Sequence, residues 1–359
     1  MFMKKISEFI WPMIGLAAVV VSGYFLYQEL KTTSLSAIWA AVLAIPPHRI
    51  LLAAFSTLVA YAALAWYDRI ALLHLGVRHI SWLFVSLCSF TTYALSHNIG
   101  ASVFSGALVR YRAYTAKGLS AAQVAVLVAL CSFTFFLGTV LLGGFTLVYD
   151  PHLLARLQDK LPAILTNPST AVAVGIGMLA FVALYVAGSL LRLPPISLRK
   201  FKLEYPRPGI MLRQLAAAPL ELLGAAGIIY FALPDAVNPG FIPVLAIFLA
   251  SFSVALASHA PGGLGVFEIV FLTAMNIAET DEARKNAVVA ALLVFRVFYF
   301  WLPALISVIV VIAFERSRLA AAIGTPANGP KATVVPEPPV TAPGLDAHEM
   351  ERELKQKAI

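Results

Sequence analysis

The chain has 359 residues, 60% of them hydrophobic and 12% charged, with a mean hydropathy of +0.85 and a formal net charge of +8. So few charges are foreign to a soluble globular domain, and several apolar runs reach the roughly 20 residues that cross a bilayer. The sequence therefore predicts an all-α polytopic membrane protein. Its positive charge reads as a topology signal, and no nucleic-acid partner is expected.

In chain order, Lys4 and Lys5 precede a first span at about residues 9–27, which lacks a small-x-small cleavage site and is expected to be retained. Residues 34–45, before Pro46-Pro47, fit an amphipathic helix on the interface. A second span covers about 50–72. Asp68 and Arg69 at its end read as interface residues, and Trp66, Tyr67 and Trp82 as interfacial aromatics. Residues 80–109 form an apolar segment interrupted by Ser96-His97-Asn98-Ile99-Gly100, and a basic cluster follows at Arg110, Arg112 and Lys117. Ser120 is placed as the N-cap of a span over about 121–149. Cys88 and Cys131 fall within these apolar runs and read as packed thiols.

A further span at about 171–191 leads into the most basic linker of the chain. There Arg192, Arg199, Lys200, Lys202, Arg207 and Arg213 are opposed by Glu204 alone. A span at about 212–233 precedes a second interrupted segment, about 241–277, with Ser258-His259-Ala260-Pro261-Gly262 at its break. The last span covers about 287–314 and closes on Glu315-Arg316-Ser317-Arg318. Residues 319–359, rich in Pro and Ala, are expected to be a disordered cytoplasmic tail.

The two broken motifs are related by a fixed offset of 162 positions. Ile80, Leu83, Leu87, Ser89, Phe90, Ser96, His97 and Gly100 all fall on identical residues. This predicts an internal repeat, with units at 1–164 and 165–318. Charge then selects a topology. If each interrupted segment crosses the membrane once, the basic clusters cannot all lie on one side. If each enters, breaks and returns, Lys4/Lys5, Arg110/Arg112, the 192–213 linker and Arg316/Arg318 all fall inside, with both termini cytoplasmic. Each arm of such a re-entrant hairpin needs only about 10–15 residues. Three crossings per unit is an odd number, so the second unit is inverted relative to the first. The hairpin tips then meet near the midplane, as in many secondary transporters.

The motif Ser96-His97-Asn98-Ile99-Gly100 with Leu108-Val109-Arg110-Tyr111-Arg112, and the run Pro261-Gly262-Gly263-Leu264-Gly265-Val266-Phe267-Glu268, resemble the transmembrane domain of the lysylphosphatidylglycerol synthase/flippase family. That family includes MprF-type membrane halves and stand-alone YbhN-type members. The resemblance covers about residues 5–318 and implies movement of lipids between leaflets, aminoacylated phosphatidylglycerol among them. No aminoacyl-transferase domain follows the last span here, so enzymatic synthesis is not expected.

Glu221, central in its span, reads as a proton site or headgroup contact, or else as a structural carboxylate. Arg296, at similar depth in the last span, is its natural partner, or a ligand for phosphate. The repeat sets Val59 opposite Glu221 and Thr134 opposite Arg296. His97 and His259, with Asn98, mark the hairpin tips as proton carriers, phosphate donors or helix caps. Gly262, Gly263 and Gly265 would leave backbone N–H groups open to an anion or serve only close helix packing, and Glu268 would set the charge there or cap the neighbouring backbone. Arg110 and Arg112 are placed at the cytoplasmic face, attracting headgroups or anchoring topology. No metal or cofactor is expected. The leading expectation is a phospholipid flippase of the inner membrane. The alternatives are a membrane-embedded lipid-modifying enzyme and a non-catalytic partner of a soluble lipid synthase.

Overall fold

The computed structural model describes residues 35–99, 102–152, 167–193, 196–198, 201–203, 205–276 and 281–323. The first predicted span (9–27), Gly100 at the first break and nearly all of the predicted tail lie outside these residues. By internal contacts the chain divides at Ala313/Phe314 into a larger and a smaller unit.

Among the described residues, five helices are long and apolar enough to cross a membrane: α2 (Pro47–His74), α5 (Ala121–Tyr149), α6 (Pro168–Leu190), α7 (Pro208–Ala232) and the run Glu282–Ala313. Local sequence explains where several of them start. Proline occupies the first turn of α2, α6 and α7, where its missing N–H is no loss. Asn167 caps α6, and Ser120 with Gln123 forms a full capping box on α5. At 1.5 Å per residue, the 28 residues of α2 extend about 42 Å, more than a hydrocarbon core. Its outer face carries exposed Leu51, Phe55 and Leu58, and α6 likewise exposes Ile176 and Leu184. A soluble monomer keeps such patches small. Here they fit a lipid environment.

A short helix, α1 (Leu35–Leu43), packs on α10 (Glu282–Phe295). The basic linker is not purely irregular: β1 (Ile196–Leu198) pairs antiparallel with β2 (Phe201–Leu203), an addition to the predicted all-α class. The last span is one path with a local fault, in which α10 passes through a π-helical turn, Arg296–Trp301, into α11 (Leu302–Ile323). Of the predicted tail, residues 319–323 belong to that helix, in the smaller unit.

The two interrupted segments each fold back on themselves. Helix α3 (Trp82–Ile99) and α4 (Ser102–Thr115) run antiparallel: Phe84 meets Tyr114 edge-on at 6.1 Å, and the Arg110 guanidinium lies 4.8 Å over the Tyr93 ring. Gly106 faces Thr92 and Ser96. Helix α8 (Phe241–Ala257) and α9 (Val266–Ala274) do the same, with Phe252 and Phe267 at 6.4 Å and Gly263 seated on Ala255. The leading arms, 18 and 17 residues, exceed the half-bilayer length expected of them. The first helix also runs through its Ser-His-Asn-Ile motif and breaks only after Ile99.

The main core gathers around α2 and α7, the most extensively packed pair of helices. They approach closely because small residues meet: Gly224 and Gly227 on α7 face Ser56 and Ala60 on α2. A β-carbon on Gly224 would lie 2.9 Å from the Ala60 nitrogen and from the Ser56 carbonyl oxygen, both backbone atoms. Gly224→Val is therefore expected to destabilise the solubilised protein by about 1–3 kcal/mol, since the helices must part to admit it. A denaturant titration followed by circular dichroism checks this. A wild-type transition would show that the contact is not tight.

Candidate functional site

The break between α8 and α9 is a run of left-handed backbone. His259 (φ 55°), Gly262 (62°), Gly263 (60°) and Gly265 (78°) all have positive φ, which glycine adopts without cost. The Gly265 N–H donates to Glu268 Oε2 and the Gly263 N–H to the Ala260 carbonyl, both at 2.9 Å, so the carboxylate caps the residue that precedes α9. Of the two roles expected of Glu268, capping of the neighbouring backbone is the one seen at Gly265.

Arg296 holds the turn. Its Nε donates to Glu268 Oε1 at 2.5 Å, one terminal nitrogen to the Gly262 carbonyl, and the other to the Gly263 carbonyl at 3.2 Å. Phe300 lies under the guanidinium at 4.8 Å. A planar fork with donors on three nitrogens suits this task, which a point charge could not perform. The predicted Glu221–Arg296 pair is thus not formed, because Glu268 and the turn carbonyls occupy the arginine.

Glu221 instead accepts from the Tyr299 hydroxyl at 2.6 Å through Oε1. It is 1% exposed, and among the described residues its Oε2 accepts no hydrogen bond, with the Tyr67 hydroxyl near the carboxylate. Tyr299 follows Arg296 by three residues on the π-helical turn, so the sequence reading found the right turn and the wrong side chain. A π turn disrupts the regular backbone ladder, and side chains bond two of its carbonyls. Tyr61 donates to the Tyr299 carbonyl at 2.9 Å, and Asn98 to the Phe300 carbonyl at 3.0 Å. The same Asn98 amide reaches Ala94 of its own helix at 2.7 Å. Asn98 thereby ties α3 to the last span and does not break its helix.

His97, beside it, stacks on Tyr299 with centroids 5.3 Å apart and 19° between planes. Its Nδ1 is buried and unpartnered. Its carbonyl oxygen faces Gly262, 3.5 Å from where a β-carbon would stand, so the ends of the two broken segments touch.

A second buried ion pair lies on the other side. Arg110 reaches Asp68 through Nε at 3.2 Å to each carboxylate oxygen and through a terminal nitrogen at 2.6 Å. Tyr114 and Cys131 donate to the same carboxylate at 2.8 and 3.4 Å. Asp68 is 0% and Arg110 4% exposed. Both had been placed at a membrane face. The correction has a physical cause: α4 continues to Thr115, which carries Arg110 inside the packed helix, where only a carboxylate can offset its charge. Tyr67 is likewise buried, not interfacial, and donates to the Ala218 carbonyl at 3.3 Å. Arg112 and Trp82 are exposed, and Trp66 is half-buried.

Between these clusters lies a cavity of about 300 Å³. His97, His259, Glu221, Arg110, Gly262 and Gly263 line it, together with Ser96, Ser132 and the rings of Tyr93, Phe135, Phe252, Phe267 and Phe300. Six predicted site residues are therefore brought together. Arg296, Glu268 and Asn98 brace the elements around the cavity, and Arg112 lies apart. Sequence reasoning missed Tyr299, Tyr93 and Asp68. Tyr299 had a signal, its i+3 spacing from Arg296. Asp68 had one too, a lone acid within an apolar helix.

This arrangement defines a multi-pass membrane protein with a largely apolar cavity, set with a few polar groups, where two broken helical segments meet. Residues 13–307 match the family described as "Lysylphosphatidylglycerol synthase TM region", and the chain belongs to it. It is 30% identical over 303 residues to the uncharacterized protein slr0712 of Synechocystis sp., across 84% of this chain and 90% of that one. It is 28% identical over 259 residues to the inner membrane protein YbhN of Escherichia coli, across 72% and 77% of the two chains.

Proposed function

We propose that the protein moves a phospholipid between leaflets, the headgroup passing through the cavity while the acyl chains stay in the bilayer. The observation that carries this reading is a buried carboxylate, Glu221, with one oxygen unpartnered on the wall of a cavity between two folded-back helices. Intramembrane carboxylates are costly and mark substrate or proton pathways. At about 300 Å³ the cavity is at the small end of ligand sites, right for a headgroup and too small for a whole lipid. The exposed residues Ser132, Leu256 and His259 on its wall supply an opening.

The folded-back pairs α3/α4 and α8/α9 act as re-entrant hairpins in two inverted repeats, with both termini cytoplasmic. The 162-residue offset and the contact of the two breaks support this. The inner-membrane name of the relative YbhN supports the same location here. Membrane lipids are the partners, and a separate synthase supplies them.

The test is exchange of fluorescent phospholipids in proteoliposomes, read by dithionite quenching. Wild type is expected to expose labelled lipid of both leaflets, with or without an imposed proton gradient. Glu221→Leu is expected to slow exchange at least about tenfold, the loss of one buried hydrogen-bonding group. Folded wild-type protein that exchanges no lipid under either condition would sink the proposal.

A further inference from the structure

We infer that the cavity recognises a hydroxyl-bearing headgroup, a polyol or sugar, held between Glu221 Oε2 and His97 Nδ1. This rests on the transport reading and names its substrate class. Buried polar atoms in folded proteins are almost always hydrogen-bonded, and an exception on a cavity wall marks a place where a bound group can supply the missing bond. Two of the exceptions among the described residues, Glu221 Oε2 and His97 Nδ1, belong to residues that line one cavity. They are physically linked, since Tyr299 bonds the glutamate and stacks on the histidine.

Three headgroup chemistries compete for this site. A phosphate needs an uncompensated cation or open N–H groups. Arg296 is engaged through all three of its nitrogens by Glu268 and the Gly262 and Gly263 carbonyls. Arg110 is neutralised by Asp68, and the N–H groups of Gly263 and Gly265 at the break are taken by the Ala260 carbonyl and by Glu268. Phosphate therefore has no ready seat. An ammonium could meet the carboxylate, but it has no acceptor capacity and can satisfy the imidazole nitrogen only in one tautomer. A hydroxyl both donates and accepts, so adjacent hydroxyls satisfy both atoms in either protonation state. The ring faces of Phe252 and Phe300 bound the same space and suit the C–H faces of a polyol.

Native mass spectrometry of the detergent-solubilised protein tests the assignment without requiring transport. The probes are a glucosyl diacylglycerol, phosphatidylglycerol, phosphatidic acid, phosphatidylcholine and phosphatidylethanolamine. The two hydroxylated lipids are expected to bind at least about tenfold more tightly than the other three, one buried hydrogen-bonded group's worth. The neutral glucosyl lipid separates hydroxyl from charge. Glu221→Gln should keep the preference within about threefold, because an amide still donates and accepts. Glu221→Leu should lose it. His97→Phe keeps a ring against Tyr299 but removes Nδ1, and should lose it too.

Preference for phosphatidylethanolamine that vanishes in Glu221→Gln would overturn the assignment in favour of an ammonium site. Equal binding of phosphatidic acid and phosphatidylglycerol would overturn it in favour of phosphate, and equal binding of all five would remove any headgroup site. Selective binding without leaflet exchange would defeat the transport reading and leave the hydroxyl site standing. Exchange without selectivity would do the reverse.

Discussion

Asp68→Leu is expected to destabilise the protein by about 3–5 kcal/mol, the cost of leaving a buried charge without its partner. Arg110 would keep only the Tyr93 ring face, 4.8 Å away, and a guanidinium cannot shed its proton to escape. Arg110→Leu should cost roughly half as much. The stranded carboxylate keeps donors from Tyr114 and Cys131, and a carboxylate can take up a proton where a guanidinium cannot release one. The double variant Asp68→Leu/Arg110→Leu should return to within about 1 kcal/mol of wild type, since two buried charges are exchanged for apolar contacts. Denaturant titrations of the four proteins form a double-mutant cycle. Additive costs would refute the pairing as the source of the energy, and equal costs for the two single variants would refute the asymmetry between carboxylate and guanidinium.

The same pair marks the limit of what the sequence could reveal. Apolar runs of sufficient length located the span helices, because the backbone in lipid must bond to itself and leaves few other choices. The Ser-His-x-x-Gly echo located both places where the chain folds back. It did not distinguish them. At the second, His259 and three glycines at positive φ make a true break. At the first, Asn98 bonds its own helix and the last span, so the polar motif is absorbed into regular structure. Charges were harder still. Asp68 and Arg110 are 42 residues apart, and only packing shows that they meet. Counting basic residues for topology treats every arginine near a span end as surface, an approximation that holds for Arg112 and fails for Arg110. The π turn at Arg296–Trp301 carries no composition signal, yet it sets which side chain meets Glu221.

Arg296→Leu is also expected to cost about 3–5 kcal/mol, but here the double variant Glu268→Leu/Arg296→Leu should not recover. The difference lies in what each arginine bonds. Arg110 gives its hydrogen bonds to one carboxylate, so removing both charges leaves only Tyr114 and Cys131 to find new partners. Arg296 also holds the carbonyls of Gly262 and Gly263, and Glu268 also holds the Gly265 N–H. Two leucines would strand three backbone groups at the break, each costing about 1–3 kcal/mol where water cannot reach it. Arg296→Lys should fall between, because one ammonium cannot span the carboxylate and two carbonyls together. The turn is held against the cavity by this one side chain, so lipid exchange should fall in the order wild type, Arg296→Lys, Arg296→Leu, in step with stability. Recovery of the double variant to wild-type stability would mean that the backbone of the turn is held by something other than Arg296. The two buried ion pairs would then be equivalent, and the distinction drawn between them would fail.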